Sequence, residues 1–306
     1  MNKRKPSLTV AIPAYNEENN IESLLRTLLS QKQTYFNLKD ILIYTDACND
    51  NTIPIIKKLQ NDFPIIKHIR GRSRRGKMYR LNKIFSDFNS DILINLDADI
   101  KITKKDFLDN IAKIFIQDSN ALLVTCHQIP LQPKNFVGKI LHATFLMWDY
   151  VRLSVPNQDH VQNYGGTIGA YRGSFAKTLH IPDKATEDRI YIYLMAKQKD
   201  GFRYTYNSVA YYWAVTTMHD YLNLAKRSFG SQQPELEKIF GAKVNSLHIL
   251  PLKYKIKGIL KSFYHQPLYT PIAILLGILL SRMTSRKIVA NTGLWDISIS
   301  SKKRFD

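Results

Sequence analysis

Hydrophobic positions along the first 130 residues fall into two alternating patterns. Short apolar runs at residues 8–13, 41–45, 65–69, 92–96 and 121–125 have the length and composition of inner strands. Between them the apolar residues are spaced for one face of a helix. Ile21, Leu24, Leu25, Leu28 and Leu29 fall at i, i+3, i+4, i+7 and i+8. Ile53, Ile56 and Leu59 mark a second helix, Met78, Leu81, Phe85 and Phe88 a third, and Phe107, Leu108, Ile111 and Phe115 a fourth. Repeated strand–helix units predict an α/β fold, with a mainly parallel sheet and helices on both faces.

Beyond residue 130 the alternation loosens. The pattern predicts a helix over 136–152, a glycine-rich strand region over 164–172 and a helix after Thr186. A tyrosine-rich strand region over 204–213 and a helix from Asp220 onward follow. No internal repeat or low-complexity linker divides the chain. We read one α/β domain over 1–245 and a basic, apolar appendage over 246–306, shorter than a usual domain.

In the appendage, residues 262–281 contain no Asp, Glu, Lys or Arg. Lys255, Lys257 and Lys261 precede this stretch, and Arg282, Arg286 and Lys287 follow it. A spanning helix needs about 20 apolar residues, and Pro267 and Pro271 interrupt this one. A helix lying in the membrane interface, with its basic flanks on lipid phosphates, is the best match. A membrane span and a buried core helix are the other readings.

Charge narrows the partners. The 306 residues carry 44 Lys and Arg against 25 Asp and Glu, a net charge of +19. A hydrophobic content of 44% is that of a globular chain. The excess of positive charge points to a nucleotide diphosphate, an acidic lipid or a nucleic acid. The basic residues are spread along the chain, and no zinc-finger spacing or RNA-recognition aromatic motif occurs, so no nucleic acid is expected. Cys48 and Cys126 stand too far apart in sequence for a disulfide framework or a zinc site, which fits a reducing compartment. The apolar stretch after the basic N-terminus is short and broken by Pro13, and reads as a strand, not a signal peptide.

Candidate chemistry lies at the strand ends. The run 92–96 stops at Asp97-Ala98-Asp99. Two acids at such an edge repel each other unless something positive sits between them. A divalent cation with oxygen ligands satisfies both, and a metal held by few carboxylates usually carries a phosphate as well. Ligands of open α/β sheets bind at this edge. The first strand runs into Pro13-Ala14-Tyr15-Asn16-Glu17-Glu18 and the second into Asp46-Ala47-Cys48-Asn49-Asp50-Asn51-Thr52, so polar groups converge there. No Gly-x-Gly-x-x-Gly follows the first strand, which excludes the dinucleotide fingerprint. No Gly-x4-Gly-Lys-Ser/Thr occurs, which excludes the ATPase phosphate loop.

Taken in order, these segments resemble the family 2 glycosyltransferases of the GT-A fold. Ile12-Pro13-Ala14-Tyr15-Asn16-Glu17 resembles that family's opening strand. Residues 45–52 resemble its Asp-Gly-Ser-x-Asp-x-Thr turn, with Ala47 and Cys48 as departures. Gly76-Lys77 with Leu81-Asn82 resembles a Gly-Lys-x-x-Ala-Leu-Asn segment, and Asp97-Ala98-Asp99 matches the metal motif. Gly165-Gly166 through Ala170-Tyr171-Arg172 resembles the acceptor-side strand, and Thr186-Glu187-Asp188 the Glu-Asp pair that carries the base. The resemblance covers about residues 7–190.

It implies a nucleotide-binding half over 1–127 and an acceptor-binding half over 128–245. Pro13, Ala14, Tyr15, Glu17, Asp46, Lys77 and Asp97 would surround a nucleotide-diphosphate sugar, a UDP-sugar by resemblance. Mg²⁺ or Mn²⁺ would sit on Asp99, with Asp97 as a ribose or second metal contact and His219 as a further ligand. Gly165, Gly166, Glu187 and Arg227 would face the acceptor. Asp188 would be the general base of an inverting transfer. The Gln-x-x-Arg-Trp of the processive cellulose and hyaluronan synthases is missing. Residues 224–233 read Leu-Ala-Lys-Arg-Ser-Phe-Gly-Ser-Gln-Gln, which argues against long-chain polymerisation.

Plainer roles compete for several of these residues. Asp46 could shape its loop as an Asx turn. Glu187 and Asp188 could be charges at a helix N-terminus. Arg72 and Arg74 read as a solvated loop. The expected setting is the cytoplasm at the inner face of the cell membrane, with a lipid-linked or saccharide acceptor, in polysaccharide or glycolipid biosynthesis. The rival readings are a retaining transferase on the same fold and a degenerate basic protein that binds membrane or nucleic acid.

Overall fold

The computed structural model describes residues 4–182, 188–230, 234–241, 244–284 and 299–305. Strands β1 (Ser7–Ala14), β2 (Asn37–Asp46), β3 (Ile66–Gly71) and β4 (Ile92–Leu96) form a parallel block. Helices α1 (Ile21–Leu29), α2 (Thr52–Asp62) and α3 (Lys77–Asp87) make its crossovers. Each follows the apolar spacing of the sequence. β5 (Ile100–Ile102), α4 (Phe107–Gln117), β6 (Leu123–Leu131), α5 (Phe136–Leu153) and β7 (Ile168–Arg172) come next. They lead to the short α6 (Gly173–Ala176), α7 (Asp188–Lys197), β8 (Phe202–Trp213), α8 (Met218–Gly230) and α9 (Pro234–Phe240). The chain closes with α10 (Leu252–His265) and α11 (Tyr269–Thr284).

One sheet takes up the strands in the order β3-β2-β1-β4-β7-β6-β8-β5. Its two faces carry separate cores, as expected. One is built on Ile12, Ile43 and Ile94 with Leu25 of α1, Ile56 of α2 and Ile111 of α4. The other is built on Ala11, Tyr44 and Leu93 with Leu81 and Phe85 of α3 and Ile190 of α7. The strand direction corrects the sequence expectation, because the sheet is mixed. β7 runs antiparallel between β4 and β6, and β5 pairs antiparallel with β8 at the edge. β7 is also shorter than the glycine-rich region that foretold it. A Cβ on its Gly169 would lie 2.3 Å from the Tyr171 hydroxyl and 2.8 Å from that of Tyr164. The missing side chain leaves room for a buried hydroxyl pair, bonded at 2.7 Å.

The uncharged stretch 262–281 is not one helix. α10 stops at His265 and α11 starts at Tyr269, with Pro267 in the turn between them. No helix among the described residues is long and apolar enough to cross a membrane, so the span reading finds no helix to carry it there. One side of the pair packs on α5. At Gly258 a Cβ would lie 2.5 Å from the Val151 nitrogen, so only glycine permits this approach. The buried hydroxyls of Ser262 and Thr270 bond at 2.9 Å. The other side leaves Leu260, Tyr264 and Leu268 at 64%, 84% and 77% exposure.

Candidate active site

The C-terminal ends of β1, β2 and β4 and the start of α3 open on one cleft of about 210 Å³. Pro13, Ala14, Tyr15 and Glu17 line it from β1, and Asp46 from β2. Lys77 and Arg80 line it from α3, and Asp97 and Asp99 from just beyond β4. The residues that the resemblance assigns to the nucleotide sugar therefore meet in one place.

Two knitted loops shape its floor. Asn16, two residues past the end of β1, and Ala47, directly past the end of β2, have φ of 52° and 59°. Residues with a Cβ seldom adopt this left-handed region. The Asn16 side chain donates to Asn49 Oδ1 at 2.6 Å and accepts the Asn49 N–H at 3.0 Å. Glu18 accepts the backbone N–H and the side-chain amide of Asn51 at 3.0 and 2.8 Å. Ala47 donates its N–H to the Gly71 carbonyl at 3.0 Å.

Asp46 is turned to the chain itself. Its carboxylate accepts the N–H groups of Arg75 and Gly76, both at 2.9 Å, and pairs with Arg80 at 2.6 Å. These bonds pin the start of α3, where Gly76 has φ of 85°. The contacts are those of a loop-shaping acid, made to a segment 29 and 30 residues away in place of an Asx turn. Arg80 reaches Asp46 across Gly71, where a Cβ would stand 2.1 Å from its guanidinium. Arg74, read from sequence as a solvated loop residue, lies over the Tyr15 ring at 4.3 Å.

Lys77 sits at the electrostatic centre. Its ammonium contacts Asp97 at 2.7 and 3.0 Å and donates to the Gly166 carbonyl at 3.0 Å. Burial alone would lower the Lys77 pKa, but Asp97, followed by Asp188 and Asp99, raises it above its usual value. Burial pushes the Asp97 carboxyl up to about 6, against the pull of Lys77 and with a further push from Asp99. Burial pushes Glu17 up to about 8, with Asp99 adding to the shift and Lys302 opposing it.

Among the residues that the resemblance assigns to the acceptor, Gly166 has φ of 76°, and a Cβ there would lie 3.4 Å from Asp188 Oδ2. Gly165 stands against Gln128 at a similar distance. Asp188 opens α7, and its Oδ2 is buried with no hydrogen-bond partner among the described residues. Glu187 and the side chain of Arg227 lie outside the described residues. His219 is not among the cleft residues. Its side chain is 83% exposed and faces Asp220 at 3.5 Å.

Sequence reading missed two cleft residues, Arg80 on α3 and, far from it along the chain, Lys302. Its ammonium donates to the carbonyls of Tyr15 at 2.6 Å and Asn16 at 3.2 Å and pairs with Glu17. Nothing local sets it apart from Lys303 or Arg304 in the same basic tail.

The donor set suits a hard divalent cation held jointly with a ligand. Asp97 and Asp99, two residues apart, present carboxylate oxygens at one edge, those of Asp97 also in contact with Lys77. No hydrogen bond or ion pair ties Asp99 to another described side chain. No group of three or more His, Cys, Asp or Glu among the described residues could form a complete protein cage. Mg²⁺ and Mn²⁺ commonly bind through one or two carboxylates and substrate phosphates, which this arrangement permits.

Comparison with known proteins gives the family. The profile described as "Glycosyl transferase family 2" matches residues 9–179, more than half of the chain. The uncharacterized glycosyltransferase YfnE of Bacillus subtilis is 31% identical over 119 residues, 39% of this chain and 29% of that protein. A poly-beta-1,6-N-acetyl-D-glucosamine synthase of Staphylococcus aureus is 33% identical over 94 residues, 30% of this chain and 21% of that protein. These matches span less than a third of the relatives' own length. The mannosyltransferase PcManGT of Pyrobaculum calidifontis, solved in complex with GDP-Man and Mn²⁺, superposes with a TM-score of 0.56 at 18% identity. It covers 91% of this chain and 81% of that one. TarS 1-349 of S. aureus superposes at 0.52 and 16% identity, covering 91% and 90%. At these identities the structural likeness is one of fold. With the family profile laid over residues 9–179, which include every cleft residue except Lys302, the chain belongs to glycosyl transferase family 2.

Proposed function

We propose that this enzyme moves a sugar from a nucleotide-diphosphate sugar to an acceptor hydroxyl with inversion, a UDP-sugar being the first donor to test. The observation that carries the reading is the meeting of Lys77, Asp97, Asp99 and Asp188 around one cleft edge. Tyr15 and the backbone of Pro13 and Ala14, which line the cleft from β1, would take the base. Lys77 offsets diphosphate charge. Asp99, with Asp97, would hold Mg²⁺ or Mn²⁺, which when bound stabilises charge on the departing diphosphate. Asp188 Oδ2, which has no hydrogen-bond partner among the described residues, would accept the hydroxyl proton. As the hydroxyl oxygen bonds to C1, the bond from C1 to the diphosphate oxygen breaks and the proton passes to Asp188. This single displacement inverts the anomeric centre.

The setting we propose is the inner face of the cell membrane. α10 and the turn after it leave Leu260, Tyr264 and Leu268 exposed, along with Lys253, Lys257 and Lys261 of α10. Apolar side chains among lysines suit an anionic lipid surface. A lipid-linked acceptor fits that position, and a saccharide acceptor is the second class to test.

The deciding experiment is a screen of UDP-sugars and GDP-mannose with lipid-phosphate and oligosaccharide acceptors, with Mn²⁺, Mg²⁺ or chelator. Metal-dependent product of inverted anomeric configuration supports the reading. Retained configuration makes the enzyme a retaining transferase, and binding without turnover of any donor makes it a degenerate one.

A further inference from the structure

The end of the chain returns to the donor cleft and is anchored there. A short 3-10 turn, Ile299–Ser301, docks where β8 gives way to α8. Ser300 donates its N–H to Asp220 at 2.8 Å, and its hydroxyl accepts the Thr216 N–H at 3.0 Å. Lys303 donates to the Thr216 hydroxyl at 3.2 Å. Phe305 stacks on Trp213, with 6.3 Å between ring centres and 12° between planes. Asn19, beyond β1, donates to the Lys302 carbonyl at 3.3 Å. The anchors on both sides aim the side chain of Lys302 into the cleft, where it is 20% exposed.

Its surroundings there are unlike those of a surface lysine. The ammonium faces two backbone carbonyls and the carboxylate of Glu17, three acceptors for three donors. The other cleft cations have rigid commitments. Arg80 is fixed to Asp46 and the Ser73 carbonyl, and Lys77 to Asp97 and the Gly166 carbonyl. Four acids line the cleft, Glu17, Asp46, Asp97 and Asp99, against these three cations. A diphosphate entering this cleft adds negative charge and requires a cation that can turn toward it.

We propose that Lys302 is a donor-binding residue, carried into the cleft by the C-terminal tail, whose ammonium moves from Glu17 to the diphosphate of the nucleotide sugar. The proposal rests on the nucleotide-sugar reading above. A lysine suits the task because its charge sits on a flexible four-carbon stem with rotatable donors. Glu17 shares the ammonium with the carbonyls of Tyr15 and Asn16, so one of the three contacts can be exchanged for a diphosphate oxygen while the other two hold the lysine in the cleft. A donor site completed from residue 302 is closed only when the tail is docked.

The test uses the full chain with Mn²⁺ and compares Lys302→Met, Lys302→Arg and the unaltered protein by calorimetry. The probes are UDP, GDP and their nucleosides. Lys302→Met is expected to weaken the bound nucleoside diphosphate by ~10-fold or more and leave nucleoside binding unchanged, as for loss of a charge-assisted hydrogen bond. Lys302→Arg is expected to keep most of the affinity. Equal losses for diphosphate and nucleoside make Lys302 a clip for the tail and overturn the proposal, as does no loss. A second measurement needs no variant: reductive methylation of Lys302 in the unaltered protein should slow with UDP or GDP but not with nucleoside. Unchanged methylation overturns the proposal. If the unaltered protein binds neither diphosphate, the nucleotide-sugar reading fails and takes this one with it. If it binds one and Lys302→Met binds equally well, only the role of Lys302 falls.

Discussion

The Lys77 ammonium spans both carboxylate oxygens of Asp97, at 2.7 and 3.0 Å, while Asp99 two residues on has no such partner among the described residues. One acid of the pair is thus matched by the protein's own cation, and the other is left for an incoming charge. Asp99→Asn is expected to abolish turnover and weaken metal-dependent nucleotide binding, since the site loses a charged oxygen ligand. Full activity in that variant, or undiminished activity of the unaltered enzyme in excess chelator, would sink the metal role.

Asp188→Asn keeps size and removes the proton acceptor. Turnover is expected to fall by ~10²-fold or more while nucleotide-sugar affinity stays near normal. Steady-state kinetics beside calorimetry separates the two quantities. If affinity collapses and saturated turnover survives, Asp188 belongs to the donor site.

Ala47 occupies a left-handed backbone position, φ 59°, where the resembling turn has glycine. Ala47→Gly relieves that strain, partly offset by the greater freedom of glycine in the unfolded chain. A net gain of up to ~1 kcal/mol is expected from urea unfolding. A variant less stable than the parent would show that the methyl group contributes packing worth more than the strain.

Glu17 carries the pH dependence. Its carboxyl lies near 8 in the folded chain, above its ordinary value of 4.5. Between those values the folded state keeps a proton that the unfolded state has released, so this group's contribution is full below about 4.5 and is lost as pH rises through about 8. Glu17→Gln should flatten that part of the stability curve. Melting temperatures from pH 4 to 9 check it, and parallel curves for the two proteins would contradict the shift.

The outward faces of α10 and α11 should bind anionic vesicles more tightly than neutral ones, with salt weakening the interaction. Replacing Leu260, Tyr264 and Leu268 together with Glu is expected to abolish vesicle sedimentation and leave the melting temperature within a few degrees. All three side chains are more than half exposed, so their loss opens no core cavity. Unchanged sedimentation would remove these helices from the attachment surface.

Local spacing was enough to read β1 to β4, the helices between them and the convergence of the residues at 13–17, 46, 77, 97 and 99 on one edge. Side-chain period and strand-end polarity are short-range properties, and parallel crossovers leave few ways to arrange them. Tertiary structure decided the rest. The antiparallel entry of β7 depends on which strand edges remain open after α5, which no window of sequence contains. The break at Pro267 became two packed helices because Gly258 lets α10 close on α5. Asp46, read as a nucleotide contact that could also shape its loop, lines the cleft and anchors the start of α3, and its partner Arg80 comes within reach only in the folded chain. Lys302 is the extreme case. Its partner Glu17 is 285 residues away, and a contact made by docking the chain end leaves no mark on the residues around it.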